Sequence, residues 1–209
     1  MKGASYNGNS QHADYGKETK MDKEKALKEL HTMQQAYATL FSVTNKIHIR
    51  GDEYFEGLTS RQFMTIVAIL HLPQEETTLI NIAKKLGTTK QNVSKLLSGM
   101  IEKKYIEIIP CKSDKRAINV KLTELGESIV LKNSEKSVMY VLDLFSEFSL
   151  KEVETLWYLL KKLYYFDGIE QDGFEDEGAK LDIETAEQNK QSDVIIELVR
   201  KRRGRESID

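Results

Sequence analysis

Between Thr77 and Leu122 the hydrophobic period of the chain changes twice, and this confines the possible folds more than any other stretch does. Leu79 to Leu86 has helical spacing, and Gly87 stands where a left-handed residue ends a helix. Thr89-Lys90-Gln91-Asn92 then restarts a helix with Thr89 as N-cap and Val93, Leu96, Leu97, Met100 and Ile101 on one side. Tyr105–Ile109 and Ile118–Leu122 alternate apolar and polar residues, are rich in β-branched side chains and flank a short polar loop, the pattern of a hairpin. From Ile80 to Leu122 there are ten Lys/Arg and three Asp/Glu, a net charge of +7. The whole chain of 209 residues carries −2, so the remainder carries −9. Positive charge gathered on one piece of an otherwise acidic chain is the footprint of a phosphate-binding surface.

The flanking segments read as helices. Leu27, Leu30, Tyr37, Phe41 and His48 recur at helical steps from Asp22 to about Arg50, after which Gly51-Asp52 and Gly57 suggest a loop. Thr59-Ser60-Arg61-Gln62 has capping-box spacing, and the apolar run Phe63–Leu72 stops before Pro73. Thr77 or Thr78 caps the next helix, and Thr123 caps another that reaches about Glu147. Ser149-Leu150-Lys151-Glu152 is a second capping box, followed by Val153, Leu156, Trp157, Leu160 and Leu163 on one face. Residues 1–21 are polar and aperiodic and are expected to be disordered, without the apolar core of a signal peptide. The acidic, Gly-containing stretch from Asp167 to Gly178 reads as a linker, with a weakly amphipathic helix over Thr185–Arg203 and a basic end at Arg200-Lys201-Arg202-Arg203.

The expected fold is therefore mainly α with a small β-hairpin wing: a winged helix-turn-helix over 58–126, flanked by helical dimerisation segments at 22–57 and 127–166, with an extension at 1–21 and a tail at 167–209. A single Cys fits a reducing cytoplasm, and no apolar run is long enough to span a bilayer, so the chain is expected to be cytoplasmic without membrane contact. No Gly-rich phosphate loop and no Ser/Cys–His–acid spacing is present, so an enzyme is not expected. His12, His31, His48 and His71 lack metal-ligand spacing, so neither metal nor cofactor is expected, and Cys111 reads as a bystander thiol.

The residues Leu58-Thr59-x-x-Gln62, Ile82-Ala83-x-x-Leu86-Gly87, Asn92-Val93-Ser94-Lys95-Leu96, Asp114-Lys115-Arg116-Ala117 and Val120-x-Leu122-Thr123-x-x-Gly126 resemble the MarR family of bacterial transcription regulators. The resemblance covers residues 58–126 and implies a dimeric regulator of duplex DNA, commonly a repressor released by a small aromatic or phenolic effector. It puts the helix starting at Lys90 in the major groove. There Lys90, Gln91, Asn92 and Lys95 would face bases, while Thr88, Thr89 and Ser94 suit phosphate or sugar oxygens. Asn92, three residues beyond the cap, can also turn back on its own helix. At the wing, Arg116 is expected in the minor groove, oriented by Asp114, with Lys112 and Lys115 on phosphates. Tyr37, Phe41, His48 and Phe63 are the candidate effector-pocket residues, each of which could equally be core. A winged-helix module for protein–protein assembly is the alternative, against which the +7 segment speaks. Two positions depart from the family pattern. Lys104 stands where Gly usually ends the recognition helix, and either takes a left-handed backbone costing roughly 1 kcal/mol or the helix ends differently. Ile108-Ile109 replaces a cationic wing base.

Overall fold

The computed structural model describes residues 11–110, 118–169, 171, 173–174, 193–194 and 196–200. The chain divides into two units, Met1–Ile47 and His48–Asp209, each described by itself.

The first unit holds most of helix α1 (Gln11–Tyr54). Of the expected disorder through residue 21, residues 1–10 lie outside the described residues, and from Gln11 the chain is helical instead. Residues 11–21 include only one poor helix former, Gly16, among residues that tolerate a helix well, so lack of apolar periodicity did not mean lack of helix. Leu27, Leu30, Met33, Tyr37, Leu40 and Phe41 are all exposed along it.

The second unit opens with the last turns of α1. The loop expected at Gly51-Asp52 is also corrected, because the helix runs through it to Tyr54. Glycine is used at position 51 for proximity: a Cβ there would lie 2.8 Å from Ser60 Cβ. The chain then turns at Gly57, whose φ is +72°, into α2 (Ser60–His71). The Thr59 capping box is formed. Thr59 Oγ1 accepts from the Gln62 N–H at 3.2 Å, and Gln62 Oε1 accepts from the Thr59 N–H at 3.1 Å. A short 3-10 turn (Gln74–Glu76) leads to α3 (Leu79–Lys85), capped by Thr78, and then to α4 (Lys90–Glu102), capped by Thr89.

Strands β1 (Ile106–Pro110) and β2 (Ile118–Leu122) pair antiparallel with Ile106 opposite Leu122. Thr78 bridges Asn119 on the outer side of β2, and the Val120 N–H donates to the Thr77 carbonyl at 3.1 Å. The hairpin is thereby tied to the start of α3. Helices α5 (Glu124–Leu144) and α6 (Leu150–Lys161) follow, α6 with its Ser149–Glu152 capping box and a 3-10 extension to Tyr165.

The core lies under α2, α3, α4 and the hairpin. Ile66, Ala68, Ile69, Ile82, Val93, Met100, Ile106 and Val120 are all buried. Each comes from the apolar stripe its periodicity marks, and burying such side chains stabilises by about 1.5–3 kcal/mol each relative to exposure. Phe63 packs against this core, stacked on Phe55 at 4.4 Å between ring centroids. Where a linker is expected after Asp167, part of the chain is docked instead: Phe174 packs against the same core, edge-on to His71.

Candidate nucleic-acid interface

The position of α4 is fixed at both ends by backbone geometry. At the preceding turn, Gly87 has φ +60°, its N–H donates to Lys84 O at 3.1 Å, and the Thr88 N–H donates to Ala83 O at 3.0 Å. This paired arrangement satisfies the last carbonyls of α3 and reverses the chain in the least possible length. Thr89 Oγ1 then accepts from the Asn92 N–H at 3.2 Å, which fixes the first turn of α4.

At the other end the same motif recurs with a lysine in the glycine place. Lys104 has φ +58°, its N–H donates to Ile101 O at 2.8 Å, and the Tyr105 N–H donates to Met100 O at 2.9 Å. The helix keeps its left-handed ending despite the departure from Gly. Lys103 ties this end back to α2, its Nζ donating to Gly57 O at 2.9 Å and to Gln62 Oε1 at 3.3 Å. Thr123 completes the frame. Its Oγ1 donates to Lys104 O at 2.6 Å and accepts from the Gly126 N–H at 3.0 Å, and its own N–H donates to Tyr105 O. Gly126 has no room for a side chain, since a Cβ would stand 1.9 Å from Tyr105 O. The Thr-x-x-Gly spacing seen in the sequence is thus a docking joint between the wing and α5.

Held this way, α4 turns Val93, Leu97 and Met100 inward and leaves Thr89, Lys90, Gln91, Asn92, Ser94, Lys95 and Ser98 exposed. Thr88 is half-buried at the turn. Gln91 makes no side-chain hydrogen bond among the described residues, so both amide groups are available. Asn92 is partly engaged, its Nδ2 donating to Thr88 Oγ1 at 3.1 Å. The basic segment is not uniformly a surface: Lys84, Lys90, Lys95, Lys103, Lys104 and Lys121 are exposed, whereas Lys85 is 2% exposed, with its ammonium 5.7 Å from the Phe174 ring centre. Lys112, Asp114, Lys115 and Arg116, together with Cys111, lie outside the described residues.

Of the four effector candidates, Tyr37 and Phe41 belong to the first unit and are 73% and 66% exposed on α1, and Phe63, in the second unit, packs half-buried against the core. His48 lines a cleft of about 450 Å³ between the end of α1, α2 and the start of α4. Met64, Leu86 and Leu96 supply its apolar wall, and Arg61, Lys95 and Thr88 its polar one. His48 Nδ1 lies 3.2 Å from Ser60 Oγ, and Ser60 Oγ donates to His48 O. Burial, then the nearby Arg61 cation, push the His48 pKa below its ordinary value, against a smaller upward pull from Asp52. Sequence reasoning missed Arg61 because it sits inside a capping box whose local role explained the spacing already.

Residues 56–117 match the MarR family model, a stretch that takes in α2, α3, α4 and β1. Over that stretch the chain is similar to the MarR family. Among the relatives of this chain is YpoP of Bacillus subtilis (strain 168), named as an uncharacterized HTH-type transcriptional regulator. It is 28% identical over 124 residues, which span 59% of this chain and 87% of YpoP. The crystal structure of a MarR/EmrR family transcriptional regulator from Acinetobacter sp. ADP1 superposes with a TM-score of 0.57 at 27% identity, covering 65% of this chain and 97% of that one. The S. aureus MepR–DNA complex superposes with a TM-score of 0.56 at 27% identity, covering 62% and 97%. The matched family and these relatives are transcription regulators. No helix among the described residues is long and apolar enough to cross a membrane.

Proposed function

We propose that this chain is a MarR-type, homodimeric, sequence-specific repressor that holds duplex DNA with α4 and its wing and releases it when a small anionic aromatic molecule enters the cleft beside His48. The observation that carries the reading is the exposed row Lys90, Gln91, Ser94, Lys95 on a helix locked at both ends and backed by buried Val93, Leu97 and Met100. The free Gln91 amide presents a donor and an acceptor in one plane, which suits adenine N6/N7, and Lys90 and Lys95 suit guanine O6/N7 or phosphate. Thr88, Thr89 and Ser94 offer hydroxyls for backbone oxygens at the positive end of the helix. Lys112, Lys115 and Arg116, with Asp114 to orient the guanidinium, would add the wing contact.

Dimerisation is supported by apolar faces left open in each unit. On α1, Leu27 and Leu30 are 65% and 52% exposed. On α6 and its 3-10 extension, Trp157 and Leu163 are also exposed. Helices with a continuous open apolar stripe need a partner surface, and a second copy supplies an identical one under two-fold symmetry. Two copies set two recognition helices on successive turns of a pseudo-palindrome. The effector reading rests on chemistry: Arg61 and Lys95 favour an anion, while Met64, Leu86 and Leu96 favour an aromatic ring. Thr88 and Asn92 border the same cleft, so its occupant would disturb the first turn of α4.

The test is selection of genomic fragments by the purified protein. Recovery of one inverted-repeat motif, bound by a dimer, is the expected result. Recovery of no motif, with no retention of duplex at low salt, would favour an assembly module instead.

A further inference from the structure

The turn between α1 and α2 is held from two sides. Asn133 lies on α5 and is fully buried. Its Oδ1 accepts from the Glu56 N–H at 2.9 Å, and its Nδ2 donates to Glu56 O at 3.0 Å and to Ile129 O at 2.8 Å. A carboxamide carries a donor and an acceptor in one plane, so this single side chain takes up both backbone groups of Glu56. The Glu56 carboxylate, paired with Lys132 and Lys136, ties the same turn to α5. The next carbonyl is held from α4 and β1. Gly57 O accepts from Lys103 Nζ at 2.9 Å and from the Tyr105 hydroxyl at 3.4 Å, and the Lys103 ammonium lies 5.8 Å from the Tyr105 ring centre. Lys103 Nζ also donates to Gln62 Oε1 at 3.3 Å.

From these contacts we infer that Asn133 is a positioning residue for DNA reading, acting on the end of α4 through the Glu56-Gly57 turn and the Lys103 ammonium. The inference rests on the proposed DNA-binding function. Helix α5 holds the end of α4 at two adjacent residues. It reaches Lys103 through this turn, and Lys104 through its own N-cap, Thr123, whose Oγ1 donates to Lys104 O at 2.6 Å. The two holds start from points about 15 Å apart along α5. Together they fix the direction of α4 as well as its place. Direction matters because the residues proposed to meet bases stand at the far end. Helix α4 has 13 residues, so it is roughly 18 Å from end to end, and a tilt of about 5° at Lys103 displaces Lys90 and Gln91 by about 1.5 Å. A hydrogen bond to a base edge does not survive such a shift. Lys103 counts toward the basic segment, yet its ammonium is committed to the turn and not to phosphate.

The experiment compares the full-length parent, Lys103→Met, Asn133→Ser and the double variant in titrations of a fluorescent duplex recovered by the genomic selection. Titrations run over a range of salt, well below each melting midpoint, with Lys84→Ala as the phosphate-contact reference. Lys103→Met keeps the aliphatic stem and loses the donor. It should bind about 3- to 10-fold more weakly than the parent. Its log–log salt slope should match the parent's, whereas Lys84→Ala should lose about one unit of slope. Asn133→Ser should weaken binding in the same way. Because both residues act through one turn, the double variant should bind within about 2-fold of the weaker single variant. Should Asn133→Ser not fold, Glu56→Gln, which loosens the same turn from α5, takes its place in the cycle with the same expectation. Lowered melting midpoints with affinity at the parent's value would make the role merely structural and overturn the inference while the DNA-binding function stands. A unit of slope lost in Lys103→Met would make that lysine a phosphate contact, and losses that multiply in the double variant would separate the two residues; either result overturns the inference. If the parent binds no duplex, both it and the DNA-binding function fail.

Discussion

Replacing Lys104 with glycine should stabilise the winged unit. Lys104 is held at φ +58° by two hydrogen bonds of the α4 ending, so its backbone is left-handed whatever its side chain does. Its side chain is exposed and makes no hydrogen bond among the described residues, so removing it costs no packing. An L-residue in this region is strained by about 1–2 kcal/mol. Glycine removes that strain but gives the unfolded chain more freedom, which offsets roughly 0.5–1 kcal/mol. The net gain for Lys104→Gly is about 0.5–1 kcal/mol. With a urea slope of roughly 1–3 kcal/mol per molar, the midpoint should rise by about 0.2–1 M at unchanged slope. Lys104→Ala is the control, because it removes the same charge and keeps the Cβ. Equal midpoints for the two variants would refute the strain argument and assign any change to charge.

Three further outcomes follow from named contacts. Gly126→Ala should destabilise by about 3 kcal/mol or prevent folding, since its Cβ would meet the Tyr105 carbonyl, as a circular-dichroism melt would reveal. Glu56 pairs with Lys132 and Lys136, whose hydrogen bonds and charge lower its pKa from 4.5 to about 2. A depressed folded-state pKa contributes stability that is full above about pH 4.5 and lost as pH falls toward 2. Glu56→Gln should therefore lower the urea midpoint at pH 7 and converge with the parent near pH 2; a gap that persists at pH 2 would assign the effect to something other than the charge. Gln91→Ala should change the bases preferred in binding-site selection, whereas Lys84→Ala should weaken all sequences alike. Unchanged preferences for Gln91→Ala would show that α4 does not read DNA in this register.

Local signals account for most of what was readable beforehand. Thr59, Thr89, Thr123 and Ser149 all cap helices as their spacing suggests, because a capping bond closes within three residues and needs no distant partner. The left-handed Lys104 was legible only through the resemblance, as the place where the family usually has Gly. Gly51 misled because glycine marks turns only statistically; here it serves a close approach to Ser60, nine positions on and invisible to local patterning. The burial of Lys85 and the docking of Phe174 were illegible because each depends on the other across a long stretch of chain. An aromatic residue between Gly173 and an acidic run was the one available hint. Of the two effector candidates in the second unit, His48 lines the cleft and Phe63 packs against the core, since aromatic character marks burial as readily as ligand contact.

The most direct test of DNA recognition is the dependence of duplex affinity on salt. A dimer that brings the Lys and Arg of two winged units to phosphate should lose affinity with a log–log slope on the order of −5 to −10, and the bound species should contain two chains per duplex. A slope near zero, or no binding at low salt, would contradict a phosphate-contacting role for α4 and its wing.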